Sequence, residues 1–465
     1  MMRTYSPDEL ASITRGTWNA LAKTVEVRGF CFDARQIKPG NCFVALTGAV
    51  RDGHDFVEQA KRGGASAVLV ERTLDLNIPQ LVVADSLCAL GALGAAARNS
   101  FDQPIIGVTG SCGKTSTKEM LRVLLGDYTH ATAGNWNNRI GVPMTLLTLD
   151  SKAHHFGVIE AGINQPGEMQ LLGEMIQADL SIVTNVGPAH LELLKTIDNI
   201  AVEKARLAQG ARETSLVVIT SDLLKYPAFS ELSDRAIVLY PESEQAPQNV
   251  RRAICYRLYP REITPLRAGA ASVSHKLTLI DSSVASDYTI YTPSEGIATN
   301  AALAIVAAQT LGVSIADTQQ RITQWQPASN RGRVVRVGDQ IFYVDCYNAN
   351  PTSLSDALKA FRRSTPAEQP KVYILGGMNE LGETAIEQHE AVGRQLKLSA
   401  GDSAIFVGPP ELTGAYERGA LTAGVLPDQL KKSETVEAIK SDIATFKGAL
   451  FLKGSRSYQL EHLLP

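Results

Sequence analysis

Pro104-Ile-Ile-Gly-Val-Thr-Gly-Ser-Cys-Gly-Lys-Thr-Ser-Thr117 decides how the rest of this chain is read. It has the form of a short apolar strand, a turn holding Gly110 and Gly113, and a helix beginning near Lys114. Glycines in such a turn let backbone N–H groups close around phosphate oxygens, and the start of the helix adds a favourable dipole. Lys114 then supplies a point charge for the β- and γ-phosphates, and Thr115 a hydroxyl for Mg²⁺. Val108 stands where the longer Walker spacing has its first glycine, so the motif is the shorter G-x-x-G-K-T form. A Gly-Lys-Thr alone is any loop entering a helix. An apolar strand before it and a helical pattern after it predict nucleotide binding at the turn and helix start formed by Gly110, Ser111, Cys112, Gly113, Lys114, Thr115 and Ser116.

The pattern on either side is α/β. A length of 465 residues predicts two to four domains, and 20% charged residues is ordinary for a globular protein. Apolar runs at Cys42–Leu46, Ala67–Val70 and Leu81–Ala84 predict a small α/β unit over residues 1–100. Within it, Asp33-Ala-Arg and Asp52-Gly-His read as a polar turn and a helix N-cap. Strands at Ile105–Thr109, Phe156–Ile159, Leu180–Thr184 and Leu216–Thr220 predict a parallel sheet in a central unit, 101–328. The section 242–287 is less regular and reads as a peripheral sheet, ahead of a helix of small residues at Ala298–Ala308. A third alternating unit, 329–465, has strands at Ile341–Asp345, Lys371–Leu375, Ala404–Val407 and Ala449–Leu452, and none is followed by G-x-G-x-x-G.

Composition narrows the partners. A net charge of −3 argues against a nucleic-acid binder held by bulk electrostatics. Six scattered cysteines without a C-x-x-C pair predict reduced thiols, not a disulfide framework or a zinc site. The first residues form no signal-peptide pattern and no run reaches membrane-spanning length, which predicts a cytoplasmic protein without an integral membrane segment.

In a parallel sheet ligands gather at the C-terminal ends of the strands, so the residues there are the informative ones. Glu160 ends its strand beside the glycine-rich turn, where a carboxylate holds Mg²⁺ directly or through water; the alternative is a strand-end acid in solvent. His190 follows the next strand through a Gly-Pro turn, as a site residue or as an ordinary hydrogen-bonding histidine. Lys204, in a helical stretch, reads by itself as a solvated lysine. Val344-Asp-Cys-Tyr-Asn-Ala-Asn-Pro351 is an elaborate turn or a site facing the phosphate loop across a cleft. Asn330-Arg-Gly-Arg333 can bring an arginine to transferring charge, and Lys453-Gly-Ser-Arg456 can meet an anion or face water.

Together these stretches resemble the Mur ligase family over essentially the whole chain. The resemblance includes Asp33-Ala-Arg, Asp52-Gly-His-Asp, Thr109-Gly-Ser-Cys-Gly-Lys-Thr115, Asn137-Asn-Arg-Ile-Gly-Val-Pro143 and Asn185-Val-Gly-Pro-Ala-His190. Tyr347-Asn-Ala-Asn-Pro351, Gly376-Gly-Met-Asn-Glu-Leu-Gly382 and His389 complete it, the first looking like the member that adds a terminal dipeptide. The resemblance implies a UDP-sugar domain, a central ATPase domain and a C-terminal domain that closes over ATP and takes the dipeptide. It implies that D-Ala-D-Ala is joined to UDP-MurNAc-tripeptide through an acyl phosphate, by a monomer. It further implies that Lys114, His190 and Lys204 are catalytic, that Thr115, Glu160, His190 and a carbamylated Lys204 serve Mg²⁺, and that Asn300, Arg333, Asp345 and Asn350 line the nucleotide. Another amide ligase of the superfamily, third-residue-adding or folylpolyglutamate-like, and a non-catalytic nucleotide-binding regulator are the alternatives. Ala34 replaces a usual hydroxyl residue, which bears on uracil recognition; Gly296 and Ile297 replace a usual His-Asn, so the purine pocket is expected to be built differently.

Overall fold

The computed structural model describes residues 3–19, 25–48, 50–262 and 273–465. Its described strands form three sheets. The first runs Thr17–Trp18, Gln80–Val82, Ala67–Val70, Asn41–Val44, Gly29–Cys31, parallel except for the Thr17–Trp18 edge. Asp52 caps the short 3₁₀ turn Gly53–Phe56 by accepting from the His54 N–H at 2.9 Å, as the turn-and-cap reading expects. Ala34 is buried in this unit's core.

The central sheet has nine strands. From one edge they are Val284–Ile290, Val273–Asp281, Arg252–Glu262, Ala236–Pro241, Leu216–Thr220, Leu180–Val183, Ile105–Thr109, Phe156–Glu160 and Thr129–Ala131. The first two, Val284–Ile290 and Val273–Asp281, pair antiparallel and the other seven are parallel, so the section at 242–287 extends this sheet instead of standing apart. Its residues 263–272 lie outside the described residues. Ile105–Thr109 is wholly buried, as a central parallel strand must be when both faces are covered. One cover is the helix Glu295–Thr310, buried from Ala301 to Ala308; its run of alanines lets it lie close against the helix Lys114–Leu125. Register sets the chemistry: Val108 pairs with Glu160 on one side, and Thr109 with Val183 on the other.

The third sheet runs Arg333–Val337, Gln340–Val344, Ala449–Lys453, Lys371–Gly376, Ser403–Val407, Leu430–Ser433, with only the first pair antiparallel. Apolar packing joins the units. Leu191 and Leu194 of the central unit share one buried cluster with Met378 and Leu381 of the third, and Met144 packs into the cluster of the first sheet. The wholly buried Arg98 stitches the helix Ser86–Asn99 to the central unit, donating to the Ile176 carbonyl and the Asp179 carboxylate, both at 2.8 Å. A buried guanidinium is tolerable only with such partners.

Candidate active site

A cavity of about 670 Å³ opens where the central sheet's strand ends meet the third unit. The glycine-rich turn forms one wall. Gly113 takes a φ of +81° at the N-cap of the helix Lys114–Leu125, and a Cβ there would lie 2.1 Å from Asn300 Nδ2, so only glycine fits. The turn is held from behind by the next strand's end. Ser111 N–H donates to the Asn185 carbonyl at 3.1 Å, Thr184 Oγ1 to the Cys112 carbonyl at 2.6 Å, and Gly187 N–H to Ser111 Oγ at 2.9 Å. Pinned in this way, the turn presents the first N–H groups of the helix, which have no partner within the helix and make a ready anion cradle.

Lys114 Nζ donates to the Gly110 carbonyl at 2.8 Å, and burial lowers its pKa, opposed by the charge of Glu160. Glu160 is 1% exposed. Its Oε1 accepts from Thr115 Oγ1 at 3.1 Å and Asn137 Nδ2 at 2.7 Å, while its buried Oε2 has no hydrogen-bond partner. A buried carboxylate oxygen left over beside a threonine hydroxyl calls for a cation. Among the described residues no three His, Cys, Asp or Glu cluster as an all-protein metal cage. Mg²⁺ does not ask for one, since it takes one or two carboxylates and completes its shell with phosphate and water. These residues therefore fit Mg²⁺.

The third unit supplies the facing wall. Asn350 caps the helix Pro351–Ser364 and its Nδ2 reaches the Ser111 carbonyl at 3.3 Å. The buried Lys453 ion-pairs with Asp345 at 2.7 Å and donates to the Asn348 carbonyl at 3.2 Å. Glu380 Oε2 lies 2.5 Å from His190 Nδ1, a contact that holds the Glu380 carboxyl below its usual range. Asp356 accepts from Ser294 Oγ and, at 3.1 Å, from the Gly296 N–H; burial raises its pKa. The Gly296 backbone is thus engaged by a carboxylate of the neighbouring unit.

Of the residues singled out from sequence, Ser111, Cys112, Gly113, Lys114, Thr115, Ser116, Glu160, His190, Asn300, Asp345 and Asn350 all line this cavity. Gly110 sits at the foot of the turn, beneath the Lys114 amine. Lys204 is off the lining, in the helix Ile197–Gln209, and at 1% exposure it is not the solvated lysine that the bare sequence suggests. Burial, and the charge of the nearby Lys114, push its pKa well down.

Arg333 does not reach the cavity. It begins the sheet's edge strand, paired with Val344, and is exposed. Arg331, two residues earlier, lines the cavity instead, its guanidinium 3.9 Å from the Tyr347 ring centre. Sequence reading also passed over Asp356 and the far wall, Thr220, Ser221, Asp222, Pro241, Glu244 and Tyr256. Asn330-Arg-Gly-Arg offered two arginines, and strand pairing decides between them; the far wall has no motif at all.

Three family models match the chain: "Mur ligase family, catalytic domain" over residues 26–111, "Mur ligase middle domain" over 108–308, and "Mur ligase, glutamate ligase domain" over 330–456. The UDP-N-acetylmuramoyl-tripeptide–D-alanyl-D-alanine ligase of Escherichia coli K12 is 30% identical over 438 residues, covering 93% of this chain and 92% of that protein. Among solved structures, MurF from Acinetobacter baumannii superposes with a TM-score of 0.85 at 28% identity, covering 100% of this chain and 98% of that one. MurF from Thermotoga maritima, solved in complex with ADP, gives 0.76 at 27% identity, with 94% and 96% covered.

Proposed function

The chain belongs to the Mur ligase family, and from that premise we propose that it joins D-Ala-D-Ala to UDP-MurNAc-tripeptide with cleavage of ATP, making the pentapeptide precursor of peptidoglycan. One observation carries the reading. Lys114, Glu160 and His190 of the central sheet and Arg331, Asp345, Asn350 and Lys453 of the third unit converge on one cavity. A scaffold that only bound a nucleotide would not need the second set.

The reaction must bring a carboxylate to a phosphate, two anions, so the site's first task is to neutralise charge. The turn's backbone N–H groups and Lys114 cradle the phosphates. Thr115 Oγ1 and Glu160 Oε2 are the groups that would hold Mg²⁺, which when bound offsets negative charge on the phosphate oxygens. The tripeptide's terminal carboxylate attacks the γ-phosphorus, ADP departs, and an acyl phosphate remains. The dipeptide's amine, having lost its proton, then attacks the acyl carbon, and inorganic phosphate leaves as the amide forms. Arg331 and Lys453 stand on the wall facing the phosphate loop, where they balance charge through both steps.

The buried Lys204 amine, whose pKa is held well down, is suited to taking up CO₂, forming an N–C bond and releasing a proton, which would convert it to an anionic group near Lys114 and the phosphate loop. Glu203 Oε2, buried and unpartnered next to it in sequence, marks this as a region with unmet polar demand. We assign UDP-sugar binding to residues 1–100, ATP to 101–328, and closure and the dipeptide to 329–465, in a cytoplasmic monomer. The far wall would take the base, with Asn300 between base and phosphates.

Incubation with UDP-MurNAc-tripeptide, D-Ala-D-Ala and Mg-ATP, followed by mass analysis, is expected to give the pentapeptide nucleotide, with ADP released only when both peptide substrates are present. Lys114→Ala should lower the rate about 10²–10³-fold or more. Steady ADP release without either peptide, or none with both, would overturn the assignment.

A further inference from the structure

Two residues on the cavity wall take backbone conformations that side-chain-bearing residues rarely adopt, and they face one another from different units. His190 (φ +57°) follows the strand Leu180–Val183 and opens the short helix Leu191–Leu194. Glu380 (φ +63°) follows the strand Lys371–Gly376 and precedes the turn Gly382–Thr384. What the two conformations produce is a contact. Glu380 Oε2 meets His190 Nδ1 at 2.5 Å, and the Glu380 carbonyl accepts from the Glu192 N–H at 3.1 Å. Gly382 lets the turn come this near, because a Cβ there would lie 2.9 Å from the Glu192 Cα. Leu191, Leu194, Met378 and Leu381, in the buried cluster that joins the two units, flank the pair.

Stability does not account for this arrangement. Each left-handed non-glycine residue costs about 1–2 kcal/mol. The Glu380 side chain is 50% exposed, and an ion pair so open to water returns about 0–1 kcal/mol. The strain outweighs the return, which points to a role in the chemistry.

Glu380 as a carboxylate only accepts, so the proton of this contact sits on His190 Nδ1, and a ring holding one proton has its lone pair on Nε2. A histidine at a reacting centre is commonly fixed in this way by a second group. Here that second group comes from the other unit. We propose that Glu380 is a positioning residue that locks His190 as the Nδ1–H tautomer, offering Nε2 to the phosphate site, only when the C-terminal unit is seated on the central one. The inference rests on the ligase reading above. It makes the reacting centre complete only when the cavity is closed, which protects an acyl phosphate from water.

The test uses ¹⁵N-histidine spectra of the full chain with magnesium and a non-hydrolysable ATP analogue, His190 being identified by its loss in His190→Gln. The wild type is expected to show Nδ1 protonated, and Glu380→Ala to move the ring towards Nε2–H. In parallel, Glu380→Ala should lower kcat about 10–100-fold with little change in KM for ATP. Arg363→Ala controls for weakened docking, because it breaks the interunit pair with Glu295 (2.6 Å) outside the cavity; it should leave the rate near that of wild type. An unchanged tautomer in Glu380→Ala, or an equal loss in Arg363→Ala, would overturn the proposal. Failure of the wild type to make the pentapeptide would sink the ligase reading instead, and the spectra would still answer for the tautomer.

Discussion

The phosphate end and the far end of the cavity are built in different ways. At the phosphate end, six consecutive residues, Ser111–Ser116, line the wall, and hydrogen bonds from Thr184, Asn185 and Gly187 pin them from behind. Glu160 and Lys453, each 1% exposed, complete that end. The far end draws on the strands Leu216–Thr220, Ala236–Pro241 and Arg252–Glu262, the last four places along the sheet from Ile105–Thr109. At about 4.8 Å per strand that is roughly 19 Å. Asp222 and Glu244 there are exposed, and Ser221 Oγ donates to Glu244 at 2.7 Å. On the proposed assignment, the difference follows from what each end would recognise. An anion cradle works through fixed backbone donors in a water-poor wall, which demands contiguous sequence and prior order. A planar base is held by stacking and a few polar groups, which many side-chain combinations supply.

The comparison is sharpest where burial is deepest. Lys453→Met keeps the length of the side chain but removes the charge that faces Asp345, along with the hydrogen bond to the Asn348 carbonyl. Asp345 is left largely buried and unpaired; its side chain is 20% exposed. Breaking a buried pair on one side costs about 3–5 kcal/mol, and the residual exposure of Asp345 places this variant near about 3 kcal/mol. Urea unfolding of the full chain measures it. A loss below about 1 kcal/mol would mean that the pair is solvated like a surface contact and that the phosphate end is less rigid than the far end.

Acid should also act on the phosphate end first. His130 lies on the edge strand that pairs with the Glu160 strand, Ala131 opposite Val158, and the Thr132 hydroxyl just beyond it accepts from the Glu160 N–H at 3.0 Å. Burial, helped by the stacked His154 ring at 4.7 Å, lowers the His130 pKa to about 4. The unfolded chain therefore takes up this proton near pH 6.5 while the fold resists until about 4. Its contribution is fully present above about 6.5 and is lost as pH falls towards 4; after allowance for partial exposure it is about 2 kcal/mol. Hydrogen exchange followed through that window should show 156–160 opening before 236–241, and His130→Asn should flatten the pH dependence. Equal opening at both places would remove the distinction between the two ends in acid.

The same contrast explains what the sequence disclosed. Contiguous backbone chemistry leaves a contiguous signature, so Gly110 to Ser116 and the strand-end Glu160 were legible as residues in a line. The parallel order around Ile105–Thr109 was legible too, because its strands are apolar throughout. Arg331 was hidden by Arg333, since choosing between residues two apart needs the strand pairing with Val344. Lys204 looked solvated because one stretch of helical spacing does not reveal which face packs against the rest of its own unit. Glu380 stood in a quoted motif, but its partner His190 lies 190 positions away and only the docking of two units brings them together. Tyr256, in the section that seemed irregular, belongs to the same sheet as Glu160.

Tyr256 provides the smallest effect and the most direct test of the far end. Its ring is half-buried against the core that also takes Ile297, and its hydroxyl is hydrogen-bonded to Thr299. Tyr256 and Ile297 both line the cavity, so on the proposed assignment the ring face of the one and the apolar side chain of the other form the surface on which the base would lie. Removing an aromatic platform from a base costs about 1–3 kcal/mol, and the half-exposed position puts Tyr256→Ala near the lower bound. That corresponds to a rise of about fivefold to tenfold in KM for ATP with kcat nearly unchanged, because the ring would hold the ground and transition states alike. Tyr256→Phe, which keeps the platform and loses the Thr299 bond, should stay close to wild type. A fall in kcat at constant KM would assign the far wall to the reacting groups, and the two ends would then share one task instead of dividing base from phosphate.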